Sequence, residues 1–229
     1  MNTDLNNKGS AAIVGVGTGL GASLGRYFAS MGHPCLLGAR NVDRVKEIAD
    51  QIDGAVGTSV DATDENAVKT FFDIAEADLS PVEVCVFNAS GRIRDSILDL
   101  DTNEFISCWK HSCLGGFMVG REAARRMVPR GRGTIIFTGA TASVKGFARS
   151  AGFAAGKFGL RGVAESMARE LHPLGIHVVH VVIDGGIGFD DSGALLDPNE
   201  IAKAYYELSR QGRSVWSHEV ELRPWTEKF

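Results

Sequence analysis

The sequence predicts an α/β protein: a single parallel sheet, doubly wound, with helices on both of its faces. Short apolar runs rich in β-branched residues alternate with segments of helix length along the chain. Within each run the apolar residues are nearly continuous, as they are in parallel strands that are buried on both sides. Composition adds a third observation, because 44% hydrophobic and 23% charged residues over 229 positions suit one globular domain.

The predicted elements follow one another in the order strand, helix, strand. The run "AAIVGVG" indicates a first strand over 11–17, and a helix is predicted over 20–31. The next strand and helix are predicted over 34–39 and 41–52. Four further runs have the same character, and we predict strands at 54–61, 82–89, 133–139 and 176–184. Near the end, apolar and polar residues alternate around Val220 and Leu222, which indicates a final edge strand.

Two segments fall outside this alternation. The first residues, "MNTDLNNKGS", are polar, and we expect a flexible tail over 1–10 that precedes one domain over 11–229. The segment "IGFDDSGALLDP", 187–198, carries Gly, Asp and Pro without a helical or strand period. We expect this segment to be a loop that covers the substrate.

Charge and composition argue against several classes of function. A net charge of −4 is unfavourable for nucleic-acid binding, which draws on clustered Lys and Arg. No apolar run reaches the roughly 18 residues of a membrane span, and the polar start lacks the apolar core of a signal peptide, so we expect a cytoplasmic protein. The 4 cysteines form no close-spaced pair of the kind that binds metal; we expect reduced thiols and no metal site.

A glycine-rich turn follows the first predicted strand. The stretch "GVGTGLG" places Gly15, Gly19 and Gly21 between that strand and the first helix. Such a turn lets the backbone approach a pyrophosphate, and the N-terminus of the helix offers free N–H groups and the positive end of a dipole. A glycine cluster alone is also compatible with an ordinary tight turn, but the strand before it and the helix after it favour dinucleotide binding.

The spacing Gly-x-x-x-Gly-x-Gly resembles that of the short-chain dehydrogenase/reductase family, and the resemblance continues through nearly the whole chain. "FNASG" (87–91) is similar to the family's Asn-Asn-Ala-Gly, "GTIIFTGATAS" to its fifth strand and active-site turn, and "DGGI" (184–187) to its Pro-Gly-x-Ile. The resemblance implies a Rossmann-type fold and a nicotinamide cofactor. The expected cofactor-binding residues are Gly15, Thr18, Gly19, Leu20, Gly21, Arg40, Asp61, Ala62, Asn88, Ala89, Ser90, Lys157, Gly185 and Ile187.

The end of the second strand bears on the choice of cofactor. A carboxylate there would bind the ribose 2′-hydroxyl of NAD and repel the 2′-phosphate of NADP. This chain has Ala39 followed by Arg40, and a guanidinium suits a phosphate. Thr18 could add a hydroxyl to the same phosphate. We therefore predict NADP(H) in preference to NAD(H), the alternative being that Arg40 only faces solvent.

The resemblance also implies a reaction centre of four residues, an Asn, a Ser, a Tyr and a Lys. Matching "HSCLGGF" to the family places Ser112 at the Asn, and counting back from the ring of "FAAGK" places Ala140 at the Ser and Phe153 at the Tyr. Only Lys157 is retained, and in the family it also binds the nicotinamide ribose. The chain has 3 tyrosines, and all lie elsewhere in the sequence, at positions 27, 205 and 206.

Without a phenol, ordinary carbonyl reduction lacks its proton donor. We predict an oxidoreductase with an atypical centre that reduces activated C=C or C=N bonds or a small apolar carbonyl. Asp184 is a candidate donor or base and Ser143 a candidate on the substrate side, although Asp184 also suits a capping role. His111 is a weaker candidate.

Two further expectations concern partners. A catalytically silent NADP(H) sensor, or a partner of an active relative, is the alternative function. Small residues recur in the segments "CLGGFMVGREAARRM" and "SAGFAAGKFGLRG", which permits close helix approach. Because family members commonly pair these two helices, we expect a homodimer or homotetramer that binds a small-molecule substrate.

Overall fold

The computed structural model describes residues 8–190 and 192–227, and these form the predicted sheet with helices on both faces. Seven strands, all parallel, lie in the order β3-β2-β1-β4-β5-β6-β7. Their bounds are β1 Ser10–Val14, β2 Cys35–Ala39, β3 Ala55–Ser59, β4 Val82–Phe87, β5 Gly133–Thr138, β6 Ile176–Ile183 and β7 Glu219–Leu222. The predicted fold class is confirmed.

Helices connect the strands and cover the sheet. Their bounds are α1 Leu20–Ser30, α2 Val42–Ala49, α3 Glu65–Ile74, α4 Thr102–Trp109, α5 Gly115–Met127, α6 Ala151–Leu171 and α7 Pro198–Ser209. A π-helical turn, Lys110–Leu114, joins α4 to α5 without a break, and another, Ala75–Leu79, extends α3. Asn41, Asp64 and Asp101 accept backbone N–H groups at the starts of α2, α3 and α4, as N-cap side chains do.

The core lies in two apolar layers, one on each face of the sheet. Ala11 and Ile13 of β1 point into a layer shared with α1, α2 and α7. Ala12 and Val14 point into the opposite layer, with α3, α5 and α6. Both faces of a strand are therefore buried, which explains why the runs are continuously apolar instead of alternating.

The strand order reverses between β1 and β4. From β1 the chain proceeds outward to β2 and β3, and then crosses back to β4 on the other side of β1. The loops that follow β1 and β4 consequently diverge and leave a crevice at the carboxyl ends of these strands. In open α/β sheets this is where ligands bind.

The element bounds differ from the predicted ones by a few residues. β1 ends at Val14 and not at residue 17, because Gly15 turns the chain with φ +95°. Part of the expected tail belongs to the domain: Gly9 N–H donates to Glu83 Oε2 at 3.0 Å, and β1 begins at Ser10. Residues 1–7 of that tail lie outside the described residues.

The segment 187–198 folds back on itself. Ile187 forms a parallel bridge with Leu196, and Gly188 N–H donates to the Leu196 carbonyl at 3.0 Å. Helix α7 begins at Pro198, and residue 191 lies outside the described part of the chain. Among the described residues, no helix is long and apolar enough to cross a bilayer.

Candidate active site

The turn after β1 has the geometry of a phosphate-binding loop. Gly15 lies so close to the β4 end that a Cβ there would be 2.3 Å from the Ala89 nitrogen. Gly17 and Gly19 face open space, since nothing lies within 4 Å of a Cβ placed on either residue. Gly19 is the N-cap residue of α1 and forms no side-chain hydrogen bond, while within the first turn the Ala22 N–H donates to the Gly17 carbonyl at 3.0 Å. These residues fit a pyrophosphate at the N-terminus of the helix.

A cavity of about 410 Å³ lies beside this turn, between the ends of β1, β2 and β4. It contains the predicted cofactor residues Gly15, Arg40, Asp61, Ala62, Asn88, Ala89 and Ser90. Asn88 Nδ2 donates to the Gly15 carbonyl at 3.0 Å and so ties β4 to the turn. Asp61 accepts the Thr63 N–H at 2.8 Å, and this bond lowers the pKa of its carboxyl.

The rim of this cavity carries two arginines. Arg40 Nη1 lies 3.1 Å from His111 Nε2, and Arg44 Nη2 donates to Thr18 Oγ1 at 3.5 Å. Arg44 is in the first turn of α2, which Asn41 caps. Sequence reasoning missed Arg44, because a helical arginine suggests no more than a solvated face. His111, a weaker catalytic candidate in the sequence, lies at this rim and outside the wall that contains Lys157.

A second cavity, of about 550 Å³, lies across the crevice. From the cofactor side it is lined by Leu20, Asn88, Ser90, Gly185 and Ile187, all of them predicted cofactor contacts. From the other side it is lined by Ala140, Thr141, Phe147, Ser150, Phe153 and Lys157. Asn88 and Ser90 line both cavities, so the two form one crevice along the carboxyl edge of the sheet.

Lys157 lies in the wall of this second cavity. Its side chain is 3% exposed, and Nζ donates to the Thr138 carbonyl at 2.7 Å. Burial lowers its pKa to about 8, because desolvation disfavours the ammonium. Behind Thr138, the buried Tyr205 hydroxyl donates to Thr138 Oγ1 at 3.0 Å, and burial raises the pKa of that phenol. Thus a phenol does lie near Lys157, but in the layer below the cavity.

At three positions the sequence differs from the family pattern, and these residues lie at different places relative to the cavity. Phe153 and Ala140 line the cavity with Lys157. Ser112 is fully buried in the π-helical turn, where Oγ accepts the Gly91 N–H at 3.0 Å. A Cβ on Gly156 would lie 2.6 Å from Ser112 Cβ, so α6 packs directly on this turn. Ser112 therefore supports the loop after β4 and lies outside the wall of the cavity.

Two predicted catalytic residues are turned away from the cavity. Asp184 pairs with Arg223 of the chain that follows β7, while its neighbours Ile183 and Gly185 line the cavity. Ser143 is fully buried, and its hydroxyl accepts the Ala140 N–H at 3.1 Å. The structure therefore places neither side chain in the cavity wall: Asp184 joins β6 to the chain after β7, and Ser143 closes the turn after β5.

The wall of the cavity also contains residues that the sequence did not single out. Arg92 and Arg94 extend from the loop after β4, and the Arg92 guanidinium lies 5.6 Å from the centre of the Phe153 ring. Ser150 is the N-cap residue of α6 and forms no side-chain capping bond. Arg92 and Arg94 belong to no periodic segment or motif of the sequence, so only their positions in space reveal them.

The doubly wound sheet, the phosphate-binding turn and the crevice at the switch point define a dinucleotide-binding protein. A family profile described as short chain dehydrogenase matches residues 10–187. The chain is 33% identical over 187 residues to 3-oxoacyl-(acyl-carrier-protein) reductase MabA of Mycobacterium avium, with 81% of this chain and 70% of that protein covered. Over 206 residues it is 30% identical to the 3-oxoacyl-(acyl-carrier-protein) reductase of Bos taurus, with 89% and 85% covered.

Solved structures agree with these relatives. A short-chain dehydrogenase from Rhodopseudomonas palustris is 38% identical with a TM-score of 0.86, and the match covers 95% of this chain and 99% of that one. An alcohol dehydrogenase from the archaeon Thermococcus sibiricus, complexed with 5-hydroxy-NADP, has the same fold, with a TM-score of 0.86 at 21% identity and 96% and 99% covered. The chain belongs to the short-chain dehydrogenase family. This family consists of oxidoreductases that bind NAD(P), and the predicted enzyme class is confirmed.

Proposed function

We propose that this protein is an NADP(H)-dependent oxidoreductase whose reaction centre lacks the family's phenol. The observation that carries the proposal is the joint position of Phe153, Ala140 and Lys157 in one cavity wall, opposite Gly185 and Ile187. In this arrangement Phe153 stands in place of the Tyr, Ala140 in place of the Ser and Ser112 in place of the Asn. When bound, NADPH supplies the hydride.

The arginines at the rim support NADP(H) over NAD(H). Arg40 and Arg44 both line the first cavity at the end of β2, and Arg44 Nη2 donates to Thr18 Oγ1 at 3.5 Å. No carboxylate occupies the end of β2, where Ala39 is followed by Arg40. Two guanidinium groups favour a 2′-phosphate by bidentate hydrogen bonds and leave a 2′-hydroxyl without a partner.

The pair Phe153 and Ala140 leaves no buried hydroxyl without a hydrogen-bond partner at the proposed reaction centre. Removing one partner of a buried hydrogen bond leaves the other unsatisfied, at a cost of about 1 to 3 kcal/mol, whereas removing both is nearly neutral. Phe153 and Ala140 lack both hydroxyls together. Phe153 keeps the volume of the ring without its hydroxyl.

Lys157 is the proposed proton donor. In the described wall of this cavity, Lys157 is the residue whose pKa burial lowers toward neutral pH. Its ammonium can give a proton to one end of an activated C=C or C=N bond as hydride reaches the other, and solvent then restores that proton. A pKa of about 8 is close to the operating range at which general acids work best.

Thermal unfolding with NADPH, NADH or neither tests the choice of cofactor. Preferential binding to the folded state raises the midpoint, so NADPH should raise it more than NADH does. Arg44→Ala should remove most of the difference between the two cofactors, while Arg169→Ala, on an exposed surface of α6, should leave it unchanged. Equal shifts with both cofactors in the wild-type protein would contradict NADP(H) preference.

Turnover distinguishes this proposal from the second candidate, a catalytically silent NADP(H) sensor. The missing phenol and the burial of Ser143 and Asp184 favour that second candidate. Oxidation of NADPH with a panel of enones, imines and aldehydes supports the enzyme, and its rate should fall as the pH is raised through about 8 and Lys157 loses its proton. Binding of NADPH without any turnover supports the sensor.

A further inference from the structure

The substrate end of the second cavity carries an excess of positive charge. Arg92 and Arg94 line it together with Lys157, and its described wall contains no Asp or Glu. Neither arginine forms an ion pair within the described residues, in contrast to Arg126 and Arg161, which bind carboxylates. Unpaired cations that converge on one cavity favour an anionic ligand.

The start of α6 lies in the same wall. Ser150, the N-cap residue, is 7% exposed and lines the cavity, and its hydroxyl has no hydrogen-bond partner among the described residues. Because Ser150 does not cap the helix through its side chain, the first N–H groups of α6 also remain without a capping bond. The Ser150 hydroxyl, the start of α6 and two guanidinium groups thus line the same cavity.

Phe153 has a place in this arrangement. The Arg92 guanidinium lies 5.6 Å from the centre of the Phe153 ring, a cation–π distance. This contact helps to hold the Arg92 side chain at the cavity. The face of the ring suffices for this contact, and the hydroxyl of a tyrosine would add nothing to it.

We propose that the substrate carries a carboxylate, which binds Arg92, Arg94 and Ser150 at the N-terminus of α6. The reducible bond then extends from this anchor past Phe147 and Phe153 toward Lys157 and the Gly185 side of the cavity. An unsaturated or imino acid has this chemistry. The inference rests on the proposed function, since it names the substrate class of the same cavity.

Matched acids and amides test the proposal, because each pair differs in charge and hardly in shape. The probes are cinnamate with cinnamamide, crotonate with crotonamide, and benzoate with benzamide, titrated calorimetrically into the protein with and without saturating NADPH. The acid of at least one pair should bind about tenfold or more tightly than its amide, since hydrogen bonds to charged groups are the stronger ones. Added salt should weaken acid binding.

Variants locate the anchor. Arg92→Gln and Arg94→Gln should each raise the Kd of the acid about tenfold and leave that of the amide unchanged, and Ser150→Ala should raise it by a smaller factor. Arg169→Gln, whose side chain pairs with Glu165 on the exposed face of α6, is the control. Equal binding of acid and amide in all three pairs, binding of neither, or acid binding that is unaffected in both arginine variants would overturn the proposal. A separate NADPH titration of the same samples reports on the cofactor, so that failure of the proposed function is seen independently.

Discussion

At the scale of single residues, the reaction centre depends on which hydroxyl groups the cavity wall retains. Phe153 and Ala140 present no hydroxyl to the cavity, while the ammonium of Lys157 stays fixed to the Thr138 carbonyl at 2.7 Å. The nearest phenol, that of Tyr205, lies on the far side of Thr138. A tyrosine introduced at position 153 would face the cavity directly, one helical turn before Lys157.

Reversion of the centre is the corresponding prediction. Phe153→Tyr combined with Ala140→Ser should create or raise carbonyl reductase activity by about 10² to 10⁴, the contribution of a positioned general acid. Initial rates of NADPH oxidation with aldehydes and ketones measure it. Each single variant is a control, since Tyr or Ser alone lacks its partner. A double variant that binds NADPH normally without any gain in rate would show that the centre is placed wrongly.

The residues that belong to sequence motifs lie together in the structure. The phosphate turn, Asn88 and Lys157 line one crevice, and whether they bind cofactor stays a prediction. Asp184 follows the end of β6, and its carboxylate pairs with Arg223 of the chain after β7, a contact that the sequence pattern does not reveal. Arg92 and Arg94 were missed because exposed arginines in a loop have no signature in the sequence.

At the scale of elements, the contact between α6 and the π-helical turn supports the loop after β4, which lines the cavity. Gly156 lets the helix approach Ser112, and Ser112 in turn binds the backbone of Gly91 on the loop after β4. The order of the elements was predictable, because runs of β-branched residues indicate strands and here they alternate with segments of helix length. The π-helical turn was not, since the stretch from 102 to 127 reads as one ordinary helix.

Two glycines of α6 offer a matched test of this packing. Gly156→Ala should destabilise the protein by about 1 to 3 kcal/mol, because its Cβ would lie 2.6 Å from Ser112 Cβ. Gly162→Ala should stabilise it by about 0.5 to 1 kcal/mol, because nothing lies within 4 Å of its Cβ and alanine favours the helix. Chemical denaturation of both variants measures the free energies of unfolding. Equal effects of the two substitutions would contradict the packing described here.

At the scale of the whole molecule, a buried polar cluster ties the sheet to α6. His180 of β6 is fully buried, and its Nδ1 lies 3.0 Å from Glu219 of β7, which also binds Arg161 of α6. Burial lowers the pKa of His180 to about 4. The imidazole is therefore neutral in the folded protein at neutral pH.

This cluster predicts loss of stability in mild acid. The unfolded chain takes up a proton on His180 near pH 6.5, whereas the folded protein does so only near pH 4. As the pH falls between these values the unfolded state binds more protons, so the free energy of unfolding should decrease, by about 3 kcal/mol in all from this group. His180→Asn should flatten this dependence in denaturation curves recorded at several pH values. Some slope should remain, because burial also lowers the pKa of His33 and of His177.

Assembly is the second prediction at this scale. Large apolar side chains are exposed along the joined helices α4 and α5 and on α6: Trp109 37%, Phe117 38% and Phe158 44%. We expect a homodimer or homotetramer that covers them, with a mass of two or four chains in light scattering at micromolar concentration. Phe158→Asp should lower that mass, whereas Val215→Asp, which changes an exposed side chain far along the sequence, should not. A wild-type monomer would contradict the expectation.

Arg149 gives the mouth of the cavity a fixed shape. Among the described residues, Arg149 is the only non-glycine residue with a positive φ, at +62°. Its carbonyl accepts the Asp95 N–H at 3.1 Å. This bond joins the loop that bears the two cavity arginines to the loop that bears Phe147. Both loops are therefore ordered when the chain folds and not when a ligand binds. Ligand binding then loses little conformational entropy from these loops, which favours affinity.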